Sequence, residues 1–469
     1  KGEDNLHYEK FADGTVKCIE EEIPFEVPEG WEWTRLQSIT SILTDGTHKT
    51  PTYSEDGYIF LSSKNVTSGK IDWSNIMYIP ESLHQELYSR LAPKIGDILL
   101  AKNGTTGVAA IVDREEVFDI YVSLALIRVV ENIIDPLYIL NVIGSSFAQN
   151  YFSSSLKGIG VPNLHLEHIR NTLIPIPPCL EQARINSRTD MLLPLAGQIE
   201  ENREELKRLV SFLKSKILDL AIRGKLVPQD PNDEPASVLL ERIRTEKEEL
   251  IKQGNTKRGK KESIIFRGDD NSYYLRTELE TMEIADELPY EIPESWEWTR
   301  IGNVFQVNPR NKLDDLLEVS FIPMPLIDDG FSGKHTSEVR VWEKIKSGFT
   351  HFTEGDIGIA KITPCFENRK SVVFRNLKNN YGAGTTELHV LRPYASSILP
   401  EYVLAYVKSS MFIDKGKQEF TGAVGQQRIG KDYVENSYFP IPPLAEQKRI
   451  VEQISTVYKQ LDLISNALR

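Results

Sequence analysis

The sequence predicts an α+β fold: two tandem domains of mixed strands and helices, separated by long helices that pair as an antiparallel coiled coil. Three observations predict it. Two motifs recur at one constant separation, the stretches between them read as short strands broken by turns, and each copy runs into a heptad-patterned helix.

The duplication comes first. Residues 26–36 read EVPEGWEWTRL and residues 291–301 read EIPESWEWTRI, 265 positions on (291 − 26). Residues 174–185 read IPIPPCLEQARI and residues 439–450 read FPIPPLAEQKRI, again 265 positions on (439 − 174). Two distant motifs that keep one spacing mark an internal repeat. KIGDILLAK at 94–102 resembles EGDIGIAK at 354–361, and KGEDNLHY at 1–8 resembles RGDDNSYY at 267–274. The module keeps its ends and changes its middle. Pro28 and Pro293 fix φ at the opening. Trp31/Trp33 and Trp296/Trp298 sit at i, i+2, which in a strand puts both rings on one face. Core packing or base stacking would each use such a face. The IPIPP and FPIPP runs are rigid stops, and a helix is expected to begin near Leu180 or Leu444.

After the first stop, Ile185, Thr189, Leu192, Ala196, Ile199, Arg203, Leu206, Val210, Leu213, Ile217 and Leu220 follow alternating steps of four and three. That is a heptad seam. Thr189 and Arg203 interrupt it, and Pro194 predicts a kink or a break. At ~1.5 Å per residue, residues 185–220 would span about 50 Å. The second copy gives Ile450, Ile454, Val457, Leu461, Ile464 and Leu468 without interruption. The simplest expectation is that the two helices pack together; the alternative is that each packs on its own domain. The second helix stops with the chain at Arg469, which suggests a longer natural protein. The expected organisation is an N-terminal segment (1–25), a first domain (26–180), a long helix (181–222), a linker with an amphipathic helix at 236–253 (223–285), a second domain (286–445) and a C-terminal helix (446–469). NTKRGKKES (255–263) reads as a solvated linker or as a basic arm.

The divergent middles read as strands at 57–63, 97–101, 107–112 and 121–130, and at 320–327, 356–362, 370–374 and 387–393. One helix is expected at 135–154 and another at 399–416. Five turns beside strand ends combine Lys, Asn, Thr, Gly and Ser: LSSKNVTSGK (61–70), AKNGTTG (101–107), KITPCFENRKS (361–371), YGAGTTE (381–387) and VGQQRIG (424–430). Gly lets a backbone approach a ligand closely. Asn and Gln suit adenine, Arg and Lys suit guanine, and hydroxyls suit phosphates. Each turn alone is an ordinary hairpin; together they make a candidate DNA-binding face. Its residues are Ser62, Lys64, Asn65, Lys102, Asn103, Gly104, Thr105 and Thr106 in copy one. In copy two they are Lys361, Thr363, Asn368, Arg369, Lys370, Gly384, Thr385, Gln426, Gln427 and Arg428.

Composition narrows the class. The 469 residues are 40% hydrophobic and 26% charged, as in a soluble globular protein. No apolar run suits a membrane span, and the polar N-terminus is no signal peptide. Cys18, Cys179 and Cys365 lie too far apart for a zinc or disulfide framework, which fits a reducing cytoplasm. A formal net charge of −13 opposes a DNA binder acting alone on bulk electrostatics. Catalytic machinery is absent: VNPRN (307–311) lacks the second proline and aromatic of an adenine-methyltransferase tetrapeptide, and FSGKHTS (331–337) lacks phosphate-loop spacing. His165 and His168 have no third ligand in view. No metal is expected.

A P-E-x-W-x-W opening, a GDI strand, a closing P-I-P-P-x-x-E-Q segment and a long helix, all twice over, resemble the specificity subunits of Type I restriction-modification systems. SFLKSKILDLAIRGKLVPQDPNDEPASVLLERI (211–243) resembles that family's central region, and KITPCFEN with GTTELHVLRP a recurring version of its target-recognition domain. The resemblance implies two target-recognition domains, each reading half of a split site on double-stranded DNA, with the helices as a ruler. It implies docking to two modification subunits and, in the full complex, to restriction subunits. S-adenosylmethionine, ATP and Mg would belong to those partners and no cofactor to this chain, which would be a non-catalytic part. A stand-alone sequence-specific DNA-binding protein and a coiled-coil scaffold are the alternatives.

Overall fold

In a computed structural model, the described residues are 1–66, 69–156, 162–254, 256, 262–423 and 425–468. The chain divides into two units, Lys1–Glu200 and Glu201–Arg469.

Unit one opens with an antiparallel hairpin, Tyr8–Lys10 with Val16–Cys18. The two repeated motifs then meet: strand Glu32–Arg35 pairs antiparallel with Leu173–Ile176, Trp33 facing Pro175. The ends of the module are thus tied to each other. Between them lies an antiparallel sheet in the order 40–45, 124–129, 98–101, 109–111. A second sheet has Tyr58–Leu61 at its centre, antiparallel to Met77–Ile79 and parallel to Phe118–Ile120. Ile98 and Leu100 enter one core cluster while Leu99 and Ala101 enter the other. The two-residue strand period explains why ILLA is apolar throughout. Helix α1 (Glu81–Arg90) lies in the middle of the module. Helices α2 (Pro136–Gly144), α3 (Ser146–Ser154) and α4 (Leu166–Asn171) precede the closing strand. Helix α5 runs from Cys179 to Ile222.

In unit two, α6 (Ala236–Lys252) is followed by a three-stranded sheet of 264–267, 273–276 and 281–283. Glu297–Arg300 pairs with Tyr438–Ile441, Trp298 facing Pro440. After the short α7 (Ile301–Val304), the main sheet has the order 305–307, 388–393, 357–360, 371–373. A second sheet orders 338–341, 318–322, 381–384, 350–353, its central pair parallel. The divergent middles therefore share the plan of the main sheet, while the second sheet has three strands in unit one and four in unit two. Helices α8 (Pro400–Val407), α9 (Ser410–Gln418), α10 (Lys431–Asn436) and α11 (Leu444–Ala467) complete it.

The repeated Glu-Gln of the closing motif has a visible use. Gln182 accepts from the Asp135 amide at 2.8 Å and donates to Ile133 and Pro177 carbonyls. Gln447 accepts from the Leu399 amide at 2.9 Å and donates to the Pro442 carbonyl. Each glutamine fastens the start of its long helix to the residue that begins α2 or α8. Glu446 accepts from Trp296 Nε1 at 2.8 Å, fully enclosed.

Four expectations need correction. The helix at 135–154 is two helices, because Ser145 takes an extended ψ of 151° and caps α3 by accepting from the Ala148 amide. The helix at 399–416 divides likewise, with Ser409 capping α9. The paired tryptophans do not share a face. Pro28 and Pro293 start turns that close on the Trp31 and Trp296 amides, so only the second tryptophan lies in the strand. Trp296 and Trp298 consequently enter different core clusters. Pro194 does not break α5, which is helical on both sides of it.

The heptad seam is buried in part in unit two, where Leu206, Leu213 and Ile464 stay exposed, and is open in the first half of α5. In unit two, the Arg203–Ile222 part of α5 runs antiparallel to α11. Arg203 Nε donates to the Leu468 carbonyl at 2.6 Å, and Tyr458 Oη donates to the Lys214 carbonyl at 2.9 Å. Lys214 and Asp462 form an ion pair, and Val210 and Leu461 are buried. Further up α5 the seam residues Leu192 and Ile199 face solvent, as do Leu193 and Leu195 beside them. Among the described residues, no helix is long and apolar enough to cross a membrane. Of the basic stretch 255–263, positions 255 and 257–261 lie outside the described residues.

Candidate nucleic-acid interface

Strand 98–101 ends at the first candidate turn. The Lys102 amide donates to the Ser123 carbonyl at 2.8 Å, and the Ser63 amide to Ser123 Oγ at 3.0 Å. Ser63 Oγ reaches Asn103 Oδ1 at 3.3 Å. The Leu164 amide donates to the Lys102 carbonyl at 2.7 Å, and Asn103 bridges Asn163. Turns 61–66 and 101–107 and the segment before α4 therefore converge. Lys64, Gly104 and Thr105 are exposed; Ser62, Asn103 and Thr106 are half-buried. Gly104 has φ +75°, a conformation that glycine adopts without penalty.

Two candidates in this unit point inward. Lys102 is 5% exposed, and its ammonium lies 2.5 Å from Asp45 Oδ2. Burial pushes the Asp45 carboxyl up, but the Lys102 and His48 contacts outweigh it and hold the group below its ordinary value. Asn65 is buried: its Oδ1 accepts from the Ser62 amide and its Nδ2 donates to Asp72 and Asn75 carbonyls. Lys102 and Asn65 build the turns from behind. A residue pattern cannot distinguish a lysine facing solvent from one facing a buried aspartate 57 residues away.

Unit two repeats the closure. The Ile429 amide donates to the Lys361 carbonyl at 2.9 Å, the counterpart of Leu164 on Lys102. Ile362 bridges Arg428, and the Thr363 amide donates to the Gln427 carbonyl at 3.0 Å. Arg428 and Glu387 form a forked ion pair, 2.8 Å at its shorter arm, which holds the Glu387 carboxyl low. The Lys361 amide donates to the Glu387 carbonyl, and the Glu387 amide to Thr385 Oγ1. Turns 361–363, 385–387 and 426–428 form one surface, with Gln426 exposed and Lys361, Thr363, Thr385, Gln427 and Arg428 half-buried. The first residue of VGQQRIG, position 424, lies outside the described residues. His389 Nε2 lies 3.1 Å from the Ile429 carbonyl, and burial holds the ring's pKa below its usual value. Asn308, in VNPRN, accepts from the Val390 amide and meets the other nitrogen of His389. Asn308 thus props the strand 388–393.

The remaining candidates go elsewhere. Gly384 is not in a turn: residues 381–384 are a strand parallel to 320–322, and Gly384 is buried there so close to its neighbour that a Cβ would lie 2.3 Å from the Ile322 carbonyl. Asn368 is exposed, and its carbonyl accepts from the Gly330 amide. Lys370 Nζ donates to the Met324 carbonyl at 3.2 Å. Arg369 turns its guanidinium to the Lys408 carbonyl and Ser215. Sequence reasoning missed Ser123 and Asn163, whose only signal is proximity across the fold, and passed over Ser63 and Glu387 within turns it had singled out. His165 precedes α4 and His168 lies within it. Among the described residues, the one grouping that could hold a metal is His7, Glu20 and Glu26, where Lys1 already pairs with Glu26.

The mixed sheets, the tandem plan and the two equivalent turn surfaces define a duplicated recognition module. Residues 28–208 and 293–469 match the Type I restriction modification DNA specificity domain. The chain belongs to that family. Over 254 residues it is 46% identical to the Type I restriction enzyme EcoAI specificity subunit of Escherichia coli, covering 54% of this chain and 40% of that one. Over 247 residues it is 47% identical to the EcoEI specificity subunit of the same organism, covering 52% and 39%. The chain thus spans about two fifths of the length of these relatives. A chain from a structure on complex assembly and conformational transition of the type I R-M system shares the fold. Its TM-score is 0.58 at 18% identity, over 95% of this chain and 94% of that one.

Proposed function

We propose that this chain is the DNA-recognition subunit of a Type I restriction-modification enzyme, each module reading one half of a bipartite double-stranded site. The observation that carries the reading is the repeated closure, Leu164 on Lys102 and Ile429 on Lys361, which builds equivalent surfaces from unlike sequences. Unlike side chains on equivalent frames suit two unlike half-sites. The reading surface is Ser62, Lys64, Asn103, Gly104, Thr105 and Thr106 in one module. In the other it is Lys361, Thr363, Thr385, Gln426, Gln427 and Arg428. The modules comprise residues 26–180 and 286–445, and the intervening helices set their spacing.

Two modification subunits dock on the helices, and the exposed apolar residues of α5 are the surface offered to them. S-adenosylmethionine, and ATP with Mg in a full complex holding restriction subunits, belong to those partners. The chain is non-catalytic and works in the cytoplasm. The test is to combine it with modification subunits known to be competent with another specificity subunit and to map methylated adenines. A bipartite site is expected. No methylation would end the reading, and tight specific binding by the chain alone would favour a stand-alone DNA-binding protein.

A further inference from the structure

Arg369 belongs to a turn rich in candidate contacts, yet its side chain points away from them. Its φ is +55°, a conformation a non-glycine residue holds only when its surroundings fix it. Here a reciprocal exchange with Lys408 fixes it. Arg369 Nε donates to the Lys408 carbonyl at 2.9 Å, and Lys408 Nζ donates to the Arg369 carbonyl at 2.6 Å. Lys408 is 2% exposed, and Nζ also donates to the Gly330 carbonyl at 2.6 Å. The Gly330 amide returns to the Asn368 carbonyl at 2.7 Å. Turn 363–370 and loop 328–333 are therefore stitched into one piece.

That piece is fastened to the helix pair. Arg369 Nη2 reaches Ser215 Oγ on α5 at 3.2 Å, and Ser215 Oγ lies 2.6 Å from Ser410 Oγ. The Ser410 amide donates to Asp219 Oδ1 on α5. The Arg369 guanidinium also lies 5.1 Å over the Phe331 ring, and Phe331 meets the edge of Tyr458 on α11. One planar fork serves a carbonyl, a hydroxyl and a ring together, which a lysine cannot do.

We infer that Arg369 is a positioning residue that locks the second reading surface to the α5–α11 pair and thereby sets spacer-length selectivity. This rests on the proposed DNA-recognition role. A change of one base pair shifts a half-site by about 3.4 Å along the helix axis and roughly 35° around it. A reader that discriminates such a step needs a stiff attachment to its ruler.

The test compares wild type, Arg369→Ala, Arg369→Lys and Ser215→Ala, each assembled with competent modification subunits. Methylation is measured on bipartite sites whose spacer is native, one base pair shorter or one longer. Amide exchange is followed at Gly330 and at 369–370 in the same proteins. Arg369→Ala is expected to reduce the preference for the native spacer about tenfold, the scale of a lost charged hydrogen bond. It should also speed exchange at Gly330 while leaving the bases read unchanged. Arg369→Lys and Ser215→Ala, which leave the fold intact, fall between. Unchanged spacer preference and exchange would overturn the inference, as would a changed base preference, which would make Arg369 a DNA contact. If wild type methylates no bipartite site, the functional reading fails by itself, and exchange alone still decides whether the lock exists.

Discussion

Lys102 shows how a residue's chemistry follows from what faces it. A lysine at the end of a strand, beside Asn, Gly and Thr, reads as a phosphate contact, but its ammonium closes on Asp45. Removing one partner of a buried pair leaves the other charge uncompensated, so Lys102→Ala should lower unfolding stability by about 3 kcal/mol. Chemical denaturation measures this. Full stability with lost DNA affinity would instead put Lys102 on the DNA. The pair also has an acid limit. The Asp45 carboxyl is lower in the folded state, so its stabilisation holds above about pH 4 and is lost as the pH falls through its folded value. Lys408 has a dependence of the same sign in a higher pH window. Burial and the Arg369 charge bring it down to about 7. Its neutral amine still has two N–H groups for the Gly330 and Arg369 carbonyls. Between about pH 7 and 10 the unfolded chain binds the extra proton, so stability should rise with pH, by at most about 1.4 kcal/mol per unit. Lys408→Met should flatten that rise in denaturation series at pH 7, 8 and 9; an equal slope in both proteins would refute it.

At the scale of elements, α5 and α11 are both heptad helices but differ in what they bury. Ile450 is fully enclosed among Ile222, Trp296 and Phe439 in the main core of unit two. Ile450→Ala should cost about 3 kcal/mol, read as a lower denaturant midpoint. On α5, Leu193 is 63% and Ile199 67% exposed. Leu193→Lys with Ile199→Glu should therefore change the stability of the chain alone by no more than about 0.5 kcal/mol per site. The same pair should weaken co-purification with modification subunits. Unimpaired assembly would remove this face from the proposed docking surface.

For the whole molecule, the charge of −13 and the duplicated frame lead to separate expectations. The chain alone should bind duplex DNA weakly, with a shallow dependence on salt. Assembly with modification subunits should tighten binding and steepen that dependence, because counterion release needs the partners' basic groups. Fluorescence anisotropy at 50 and 200 mM salt checks this, and a steep slope for the chain alone would count against shared binding. Exchange of residues 37–173 for the matching segment of another family member should change one half of the recognised site and leave the other. An effect on both halves would contradict independent modules.

The sequence by itself determined the repeat, eight strands of the middles and the long helices, because each is written in local terms; it left out strands such as 40–45, 118–120 and 350–353 and read the strand 381–384 as a turn. A motif spacing, a two-residue alternation and a four-three step depend on neighbours along the chain. It also carried the ends of the module as recurring motifs, but not their pairing, which brings Trp33 to Pro175 and Trp298 to Pro440 only in the fold. Tertiary structure decided the rest. It set which lysines face solvent, because Asp45 and the carbonyls of Gly330 and Arg369 arrive from distant segments. It gave the unlike middles one main-sheet plan, because strand pairing runs through backbone groups and leaves the side chains free to differ. It also turned Arg369 from the turn toward the helices. A guanidinium's direction is set by the acceptors within reach, and those belong to residues 215, 408 and 410.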